Sequence, residues 1–149
     1  MQPYPHRYHV AASAQAEGDV VVSGKDLPAL QTAPPLEFGG PGDQWSPETL
    51  LIAAVADCYI LSFRAIVGFA KLSWISLTCE VEGVLDKVDR VTRFTRFEIK
   101  ALLKVPTGTS EDKAKRVLEQ AEKICLVTNS LNGQTHLSVR IEIAPDSVA

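Results

Sequence analysis

The stretch SPETLLIAAVADCYILSFRAIVGFA, from Ser46 to Ala70, decides how this chain folds. Its start has the residues of a helix N-terminus: Ser46 suits the capping position and Pro47 the first helical position. Glu48 then faces the positive end of the helix dipole. The twenty-one residues from Leu50 onward carry only two charges. The sequence therefore predicts one long apolar helix that begins at Pro47 and ends at about Ala70.

Such a helix is long enough to span a bilayer, yet its two charges argue against a membrane. Asp57 and Arg64 would each be costly near the middle of a bilayer. They lie seven residues apart, roughly 700° around the helix, and so fall nearly on one stripe. We therefore expect no membrane partner and a helix enclosed by protein. An ion pair between Asp57 and Arg64 of neighbouring or symmetry-related helices would neutralise both charges.

Strand-like and turn-rich segments precede the long helix. Arg7–Ala14 and Asp19–Ser23 flank a short turn and predict a hairpin. Lys25–Gln44 contains four prolines and three glycines, which predicts an extended surface loop.

Two strands, a second helix and a last strand are predicted after the long helix. Ile75–Leu85 and Val91–Val105 alternate apolar and polar residues, as neighbouring strands do. Pro106–Ser110 ends this pair and caps a helix. The apolar face of that helix has five members: Ala114, Val117, Leu118, Ala121 and Cys125. Asn132-Gly133 predicts its end, and Leu137–Ile143 predicts the last strand. The order is β-β-α-β-β-α-β, an α+β fold in a single domain over residues 1–149.

The composition is that of a soluble globular protein, with 46% apolar and 22% charged residues. The net charge of −3 gives no support for a nucleic-acid partner, despite the local Arg90–Arg96 cluster. No charged-then-apolar leader opens the sequence, and we expect a cytoplasmic protein. The His6 and His9 pair lies in a predicted strand, where its i, i+3 spacing does not suit a metal ion. We expect no metal and no other cofactor.

The long helix is apolar nearly all round, which poses a packing problem. One sheet and one other helix of a small domain can hardly cover roughly 30 Å of such a surface. A second copy of the chain would cover the rest. We therefore predict an obligate homodimer built around this helix.

Two of the three cysteines lie in apolar helical settings. Cys58 is in the middle of the long helix, and Cys125 is late in the second helix. On spacing alone, packing explains such thiols more simply than a redox role does. Cys79 lies on the apolar face of a strand, and we interpret it as a core residue.

The sequences around Cys58 and Cys125 change that interpretation. The segment from Ser46 to Tyr59, with Ser46-Pro47-Glu48-Thr49-Leu50-Leu51, Ala53-Ala54 and Cys58-Tyr59, resembles the first signature of the OsmC/Ohr family. These are the osmotically inducible protein C and organic hydroperoxide resistance proteins. Cys125-Leu126-Val127-Thr128-Asn129-Ser130-Leu131 resembles their second signature, and Glu37–Gly42 looks like the loop before the first signature in the Ohr branch.

The resemblance implies a swapped homodimer whose antiparallel sheets pack on two long central helices. It also implies a peroxidase that reduces organic hydroperoxides through a cysteine pair at the dimer interface. Cys58 would be the peroxidatic cysteine and Cys125 the resolving one. An external dithiol, which is typically a lipoyl-bearing protein in the Ohr branch, would reopen their disulfide.

The family also uses an arginine that activates the thiolate and is held by a glutamate at the helix start. Glu48 matches that glutamate, although its ten-residue separation from Cys58 spans about 15 Å along a helix. Glu48 then acts through an intermediary or across the dimer, or is only an N-terminal dipole partner. The positions that match the arginine are not basic, because no arginine lies between Arg7 and Arg64.

Arg64 is the first candidate for a replacement cation, because an arginine on an apolar helix needs a partner or a function. An ion pair with Asp57 remains the simpler role for Arg64. Arg7, Arg93 and Arg96 are the other candidates. The missing arginine keeps a second hypothesis open: a non-catalytic relative that binds a small hydrophobic ligand in the interface cleft.

Overall fold

The computed structural model describes residues 1–145, which divide into two compact units. The first unit, Met1–Leu51, contains a three-stranded antiparallel sheet in the order β1-β2-β3, with β1 Ala11–Ser13, β2 Val20–Ser23 and β3 Leu30–Thr32. A 3₁₀ turn, Leu36–Phe38, follows β3. The segment before β1 forms no regular secondary structure, so the predicted strand is confirmed only from Ala11 onward.

The long helix α1 spans Pro47–Val67, close to the predicted limits. At its start the Thr49 N–H donates to Ser46 Oγ (3.1 Å), and the Ser46 N–H donates to Thr49 Oγ1 (2.9 Å). This reciprocal arrangement satisfies two backbone donors, as in a capping box. The predicted cap at Ser46 is therefore confirmed.

The second unit begins at Ile52 and carries the larger sheet. Its elements are β4 Ser76–Val88, β5 Val91–Pro106, α2 Glu111–Ile124, α3 Leu126–Asn129 and β6 Gln134–Ala144. The sheet order is β4-β5-β6, with β4 and β5 antiparallel across the two-residue turn Asp89-Arg90. Both turn residues have positive φ (51° and 67°), the geometry of the tight turns that join antiparallel strands.

The α+β class is confirmed, with one correction to the sheets. β5 and β6 are parallel, so the second sheet is mixed and not wholly antiparallel. The physical reason is the crossover: the chain returns from the end of β5 through α2 and α3 before it enters β6. A connection of that length and helical content joins parallel strands.

The core of the second unit lies between α1, α2 and one face of the β4-β5-β6 sheet. Every second residue of β5 is buried there, as the alternation predicted: Phe97, Ile99, Ala101, Leu103 and Val105. The buried residues of α2 are Ala114, Val117, Leu118 and Ala121. A Cβ at Gly83 of β4 would collide with Ile52 of α1, so this glycine permits the close packing of helix on sheet.

Two predictions about local structure are wrong. The segment Lys25–Gln44 is not only an extended loop, because β3 pairs with β2 within it. Cys125 does not continue the second helix: its backbone is extended (φ −63°, ψ 105°), and it separates α2 from α3. The periodicity correctly placed Cys125 on the buried face, where it is 1% exposed, but periodicity does not register a single extended residue.

Helix α1 buries only one stripe of its surface within the chain. Four of its 21 residues are buried, namely Val55, Tyr59, Phe63 and Val67, each one turn from the next. Leu61, on another side of the helix, is 52% exposed. By length and composition α1 could cross a membrane.

Candidate active site

Cys58 lies in the middle of α1, one residue before the buried stripe position Tyr59, and its side chain is half-buried. Its Sγ lies 3.9 Å from Ser62 Oγ, one helical turn further along α1. This is within hydrogen-bonding distance for sulfur, and either group can be the donor. Residues four apart lie on one helix face, which brings the hydroxyl and the thiol together.

Cys125 lies at the break between α2 and α3, where its carbonyl oxygen accepts hydrogen bonds from Thr128 Oγ1 (3.1 Å) and the Asn129 N–H (3.0 Å). Its side chain is 1% exposed and interacts with Cys58. Burial is the main cause that raises the pKa of the Cys125 thiol, and its interaction with Cys58 raises the pKa further. Hydrogen bonds from the side chain and backbone of Thr128 act in the opposite direction. Cys58 and Cys125 are therefore near neighbours on different elements.

Tyr59 and Cys79 lie near Cys125. The Tyr59 hydroxyl donates to the Leu118 carbonyl oxygen (2.9 Å), which ties α1 to α2. Burial, followed by the nearby Cys79, raises the pKa of the Tyr59 hydroxyl above its ordinary value. Cys79 packs against the core from β4, and burial, followed by the nearby Cys125, raises the pKa of its thiol to about 12. Cys79 is consequently a protonated core thiol at neutral pH, in the structural setting that its strand position predicted.

The other predicted site residues are not joined to the thiols in the structure. Glu48 Oε1 is buried without a hydrogen-bond partner in the described part of the chain. Arg64 and Asp57 are both exposed on α1, and neither takes part in a salt bridge within residues 1–145. The predicted pair between symmetry-related helices therefore stays a prediction. Arg96 instead pairs with Glu98 (2.9 Å) on the solvent face of β5.

Two features of the site were not predicted from sequence. Ser62 is four residues from Cys58, and this helical spacing is the signal that could have identified it as a neighbour of the thiol. The hydrogen bonds of Thr128 to Cys125 depend on the break at Cys125, for which the sequence offers no comparable signal. Among residues 1–145, no group of three His, Cys, Asp or Glu side chains is arranged to hold a metal ion.

Two neighbouring thiols on separate elements can undergo reversible oxidation to a disulfide. One thiol can be oxidised to a sulfenic acid, and the other can condense with it to a disulfide. The pair is also asymmetric, because Cys125 is 1% exposed while Cys58 is half-buried. A reagent from solvent therefore meets Cys58 first.

Solved structures with this fold cover nearly the whole chain. An OsmC-like protein of unknown function from Vibrio cholerae has a TM-score of 0.82 at 15% identity, over 91% of this chain and 100% of its own. The organic hydroperoxide resistance protein OsmC of Legionella pneumophila has a TM-score of 0.71 at 21% identity, over 95% and 100%. The organic hydroperoxide resistance protein of Elizabethkingia anophelis has a TM-score of 0.70 at 19% identity, over 95% and 100%. These structures have the same fold as this chain.

The sequence comparisons agree with the fold. The uncharacterized protein YmaD of Bacillus subtilis is 24% identical over 112 residues, which are 73% of this chain and 75% of that protein. Residues 40–140 match the family model described as OsmC-like protein, and this range contains α1, β4, β5, most of β6 and all three cysteines. The chain therefore belongs to the OsmC-like protein family.

Proposed function

We propose that this protein is a thiol peroxidase that reduces organic hydroperoxides through Cys58 and Cys125. The observation that carries the proposal is that the two thiols are near neighbours, although 67 positions separate them in the sequence. A peroxidatic and a resolving thiol need this proximity, because the second must attack the oxidised sulfur of the first. The names of the Legionella and Elizabethkingia proteins support organic hydroperoxides as the substrate class.

The proposed reaction has three balanced steps. The Cys58 thiolate attacks the distal peroxide oxygen, the O–O bond breaks, and the substrate leaves as an alcohol after it takes up a proton. The sulfur of Cys58 is thereby oxidised to a sulfenic acid. The Cys125 thiol attacks that sulfur, forms the disulfide and releases water. An external dithiol then reduces the disulfide by exchange and is itself oxidised to a disulfide.

The exposures of the two thiols fit a peroxidatic role for Cys58 and a resolving role for Cys125. Cys58 must meet a peroxide from solvent, and it is half-buried, whereas Cys125 is 1% exposed and must meet only Cys58. The raised pKa of Cys125 keeps it protonated at neutral pH, so it does not compete with Cys58 for peroxide. Cys79, with a pKa of about 12, has no part in the cycle.

A free-thiol titration tests the proposal directly. Purified protein is titrated before and after one equivalent of cumene hydroperoxide, with hydrogen peroxide at the same dose in parallel. We expect the rapid loss of two of the three thiols per chain, faster with the organic peroxide. In Cys125→Ser we expect the loss of one thiol and a sulfenic acid that dimedone traps. Three thiols that persist for many minutes would contradict the proposal.

One observation favours the second candidate, a non-catalytic relative that binds a small hydrophobic ligand. Within residues 1–145 the Cys58 side chain has a hydrogen-bond partner in Ser62 and a titratable neighbour in Cys125, and neither is a cation. A neighbouring cation favours the thiolate form that attacks peroxide, and these contacts provide none. The thiol titration separates the candidates, because a ligand-binding protein would keep its thiols.

The proposed active form is a cytoplasmic homodimer built around α1. The exposed apolar surface of α1, which includes Leu61, supports a second copy of the chain as its cover. The buried, unpartnered Glu48 Oε1 fits the same proposal, because a carboxylate buried without a donor is costly. Sedimentation equilibrium should give twice the chain mass of 16.2 kDa, and a monomer at micromolar concentration would refute the dimer.

A further inference from the structure

Among residues 1–145 the hydrogen-bond partner of the Cys58 thiol is a neutral hydroxyl and not a cation. Ser62 Oγ lies 3.9 Å from Cys58 Sγ on the same face of α1. A hydroxyl proton can rotate toward whichever acceptor gains most from it. An ionised sulfur gains more than a neutral one, because hydrogen bonds to charged groups are the stronger ones.

Resting on the proposed function, we infer that Ser62 is a positioning residue that donates a hydrogen bond to the Cys58 thiolate. The hydroxyl fixes the orientation of the sulfur on α1 and stabilises its ionised form. Ser62 does not touch the peroxide in this role. It acts only through Cys58.

The usual role of a serine inside a helix is different. Its hydroxyl commonly donates to the carbonyl oxygen four residues earlier. Ser130, directly after α3, makes this contact with a hydrogen bond of 2.8 Å to the Leu126 carbonyl oxygen. Ser62 is instead paired with the side chain four residues earlier, the Cys58 thiol. The contrast between the two serines indicates that the Ser62 contact is with sulfur and not with backbone.

Cys125, at the α2–α3 break, is a titratable neighbour of the Cys58 thiol. Glu119 and Glu122 act on Tyr59 and Glu80 acts on Cys79, while Cys125, Tyr59 and Cys79 lie near one another. Burial raises the pKa of all three, which keeps them neutral near pH 7. On α1 itself, Asp57 and Arg64 are exposed to solvent.

The test is the pH dependence of Cys58 alkylation, which does not depend on peroxidase activity. Iodoacetamide labelling of the intact protein is followed from pH 6 to 10, and mass spectrometry of the peptides resolves Cys58 from the other two cysteines. In Ser62→Ala the thiolate loses a donor, so we expect the pH midpoint to rise by about 0.5–1 unit. Below the midpoint, alkylation should slow by about 3–10-fold, and above it the rate should be unchanged.

Two further variants make the result specific. Ser62→Thr keeps a hydroxyl at the same position and should restore the wild-type midpoint. Ser138→Ala, the same chemical change at an exposed position of β6, should leave it unchanged. An unchanged pH midpoint in Ser62→Ala overturns the inference. A midpoint in Ser62→Thr that is raised as far as in Ser62→Ala overturns it as well.

The outcome separates this inference from the proposed function. A shifted midpoint in a protein that consumes no peroxide would refute the peroxidase and retain the Ser62–Cys58 interaction. Peroxide consumption with an unchanged midpoint in Ser62→Ala would support the peroxidase and refute the Ser62–Cys58 interaction. Alanine has the highest helix propensity, so this substitution suits α1.

Discussion

Replacement of Cys58 by serine should abolish the reduction of organic hydroperoxides, with a loss of about 1000-fold or more. The serine hydroxyl is not ionised at neutral pH and is a far weaker nucleophile toward the peroxide oxygen than a thiolate. The change is close to isosteric, so the packing of Tyr59 and the core should persist. The measurement is peroxide consumption with dihydrolipoamide as the reductant, at equal protein concentration.

Cys79→Ser provides the matched control for this experiment. It is the same chemical change at a thiol with a pKa of about 12, which is protonated throughout the assay. We expect Cys79→Ser to retain wild-type turnover, apart from any cost in stability. Turnover that survives in Cys58→Ser would refute the assignment of the peroxidatic cysteine. Turnover that is lost equally in both variants would point to a general structural effect.

Replacement of Phe63 by alanine should lower the free energy of unfolding by about 3–5 kcal/mol. Phe63 is fully buried on the one stripe of α1 that faces the core. Its ring meets Trp74 edge to face, with centroids 5.2 Å apart. The substitution removes a large apolar side chain and this aromatic contact, and it leaves a cavity beside the sheet. Urea denaturation at one fixed protein concentration measures the change.

Phe69→Ala is the matched control for the stability measurement. Phe69 lies just after α1 and is 89% exposed, so the same truncation removes almost no buried surface within the chain. We expect a change within about 0.5 kcal/mol. Equal losses in the two variants would contradict the placement of Phe63 in the core and Phe69 outside it.

Much of the local structure was predictable because it depends on short-range chemistry. The reciprocal hydrogen bonds of Ser46 and Thr49 begin α1 where the capping pattern placed its start. The alternation in Val91–Val105 identified the buried face of β5, because side chains alternate between the two faces of any strand. The resemblance of the two cysteine segments identified the family, which the match over residues 40–140 bears out.

Other features depend on contacts between distant parts of the chain. The parallel pairing of β5 with β6 follows from the path through α2 and α3, which periodicity alone does not determine. The same holds for β3: a three-residue strand carries almost no pattern of its own and exists because β2 offers it a partner. The ion pair between Asp57 and Arg64 of symmetry-related helices stays a prediction, because it needs a second copy of the chain; within residues 1–145 both side chains are exposed and neither takes part in a salt bridge.

The sequence by itself determined the helix that begins at Pro47, the strand faces, the family and the two cysteines worth testing. Each depends on spacing along the chain or on a local motif. Only the tertiary structure decided that Cys125 is an extended residue between two helices, and that its thiol lies near Cys58. The physical reason is that the proximity of two thiols 67 positions apart depends on how α1, α2 and the sheet pack, and no local pattern records that packing.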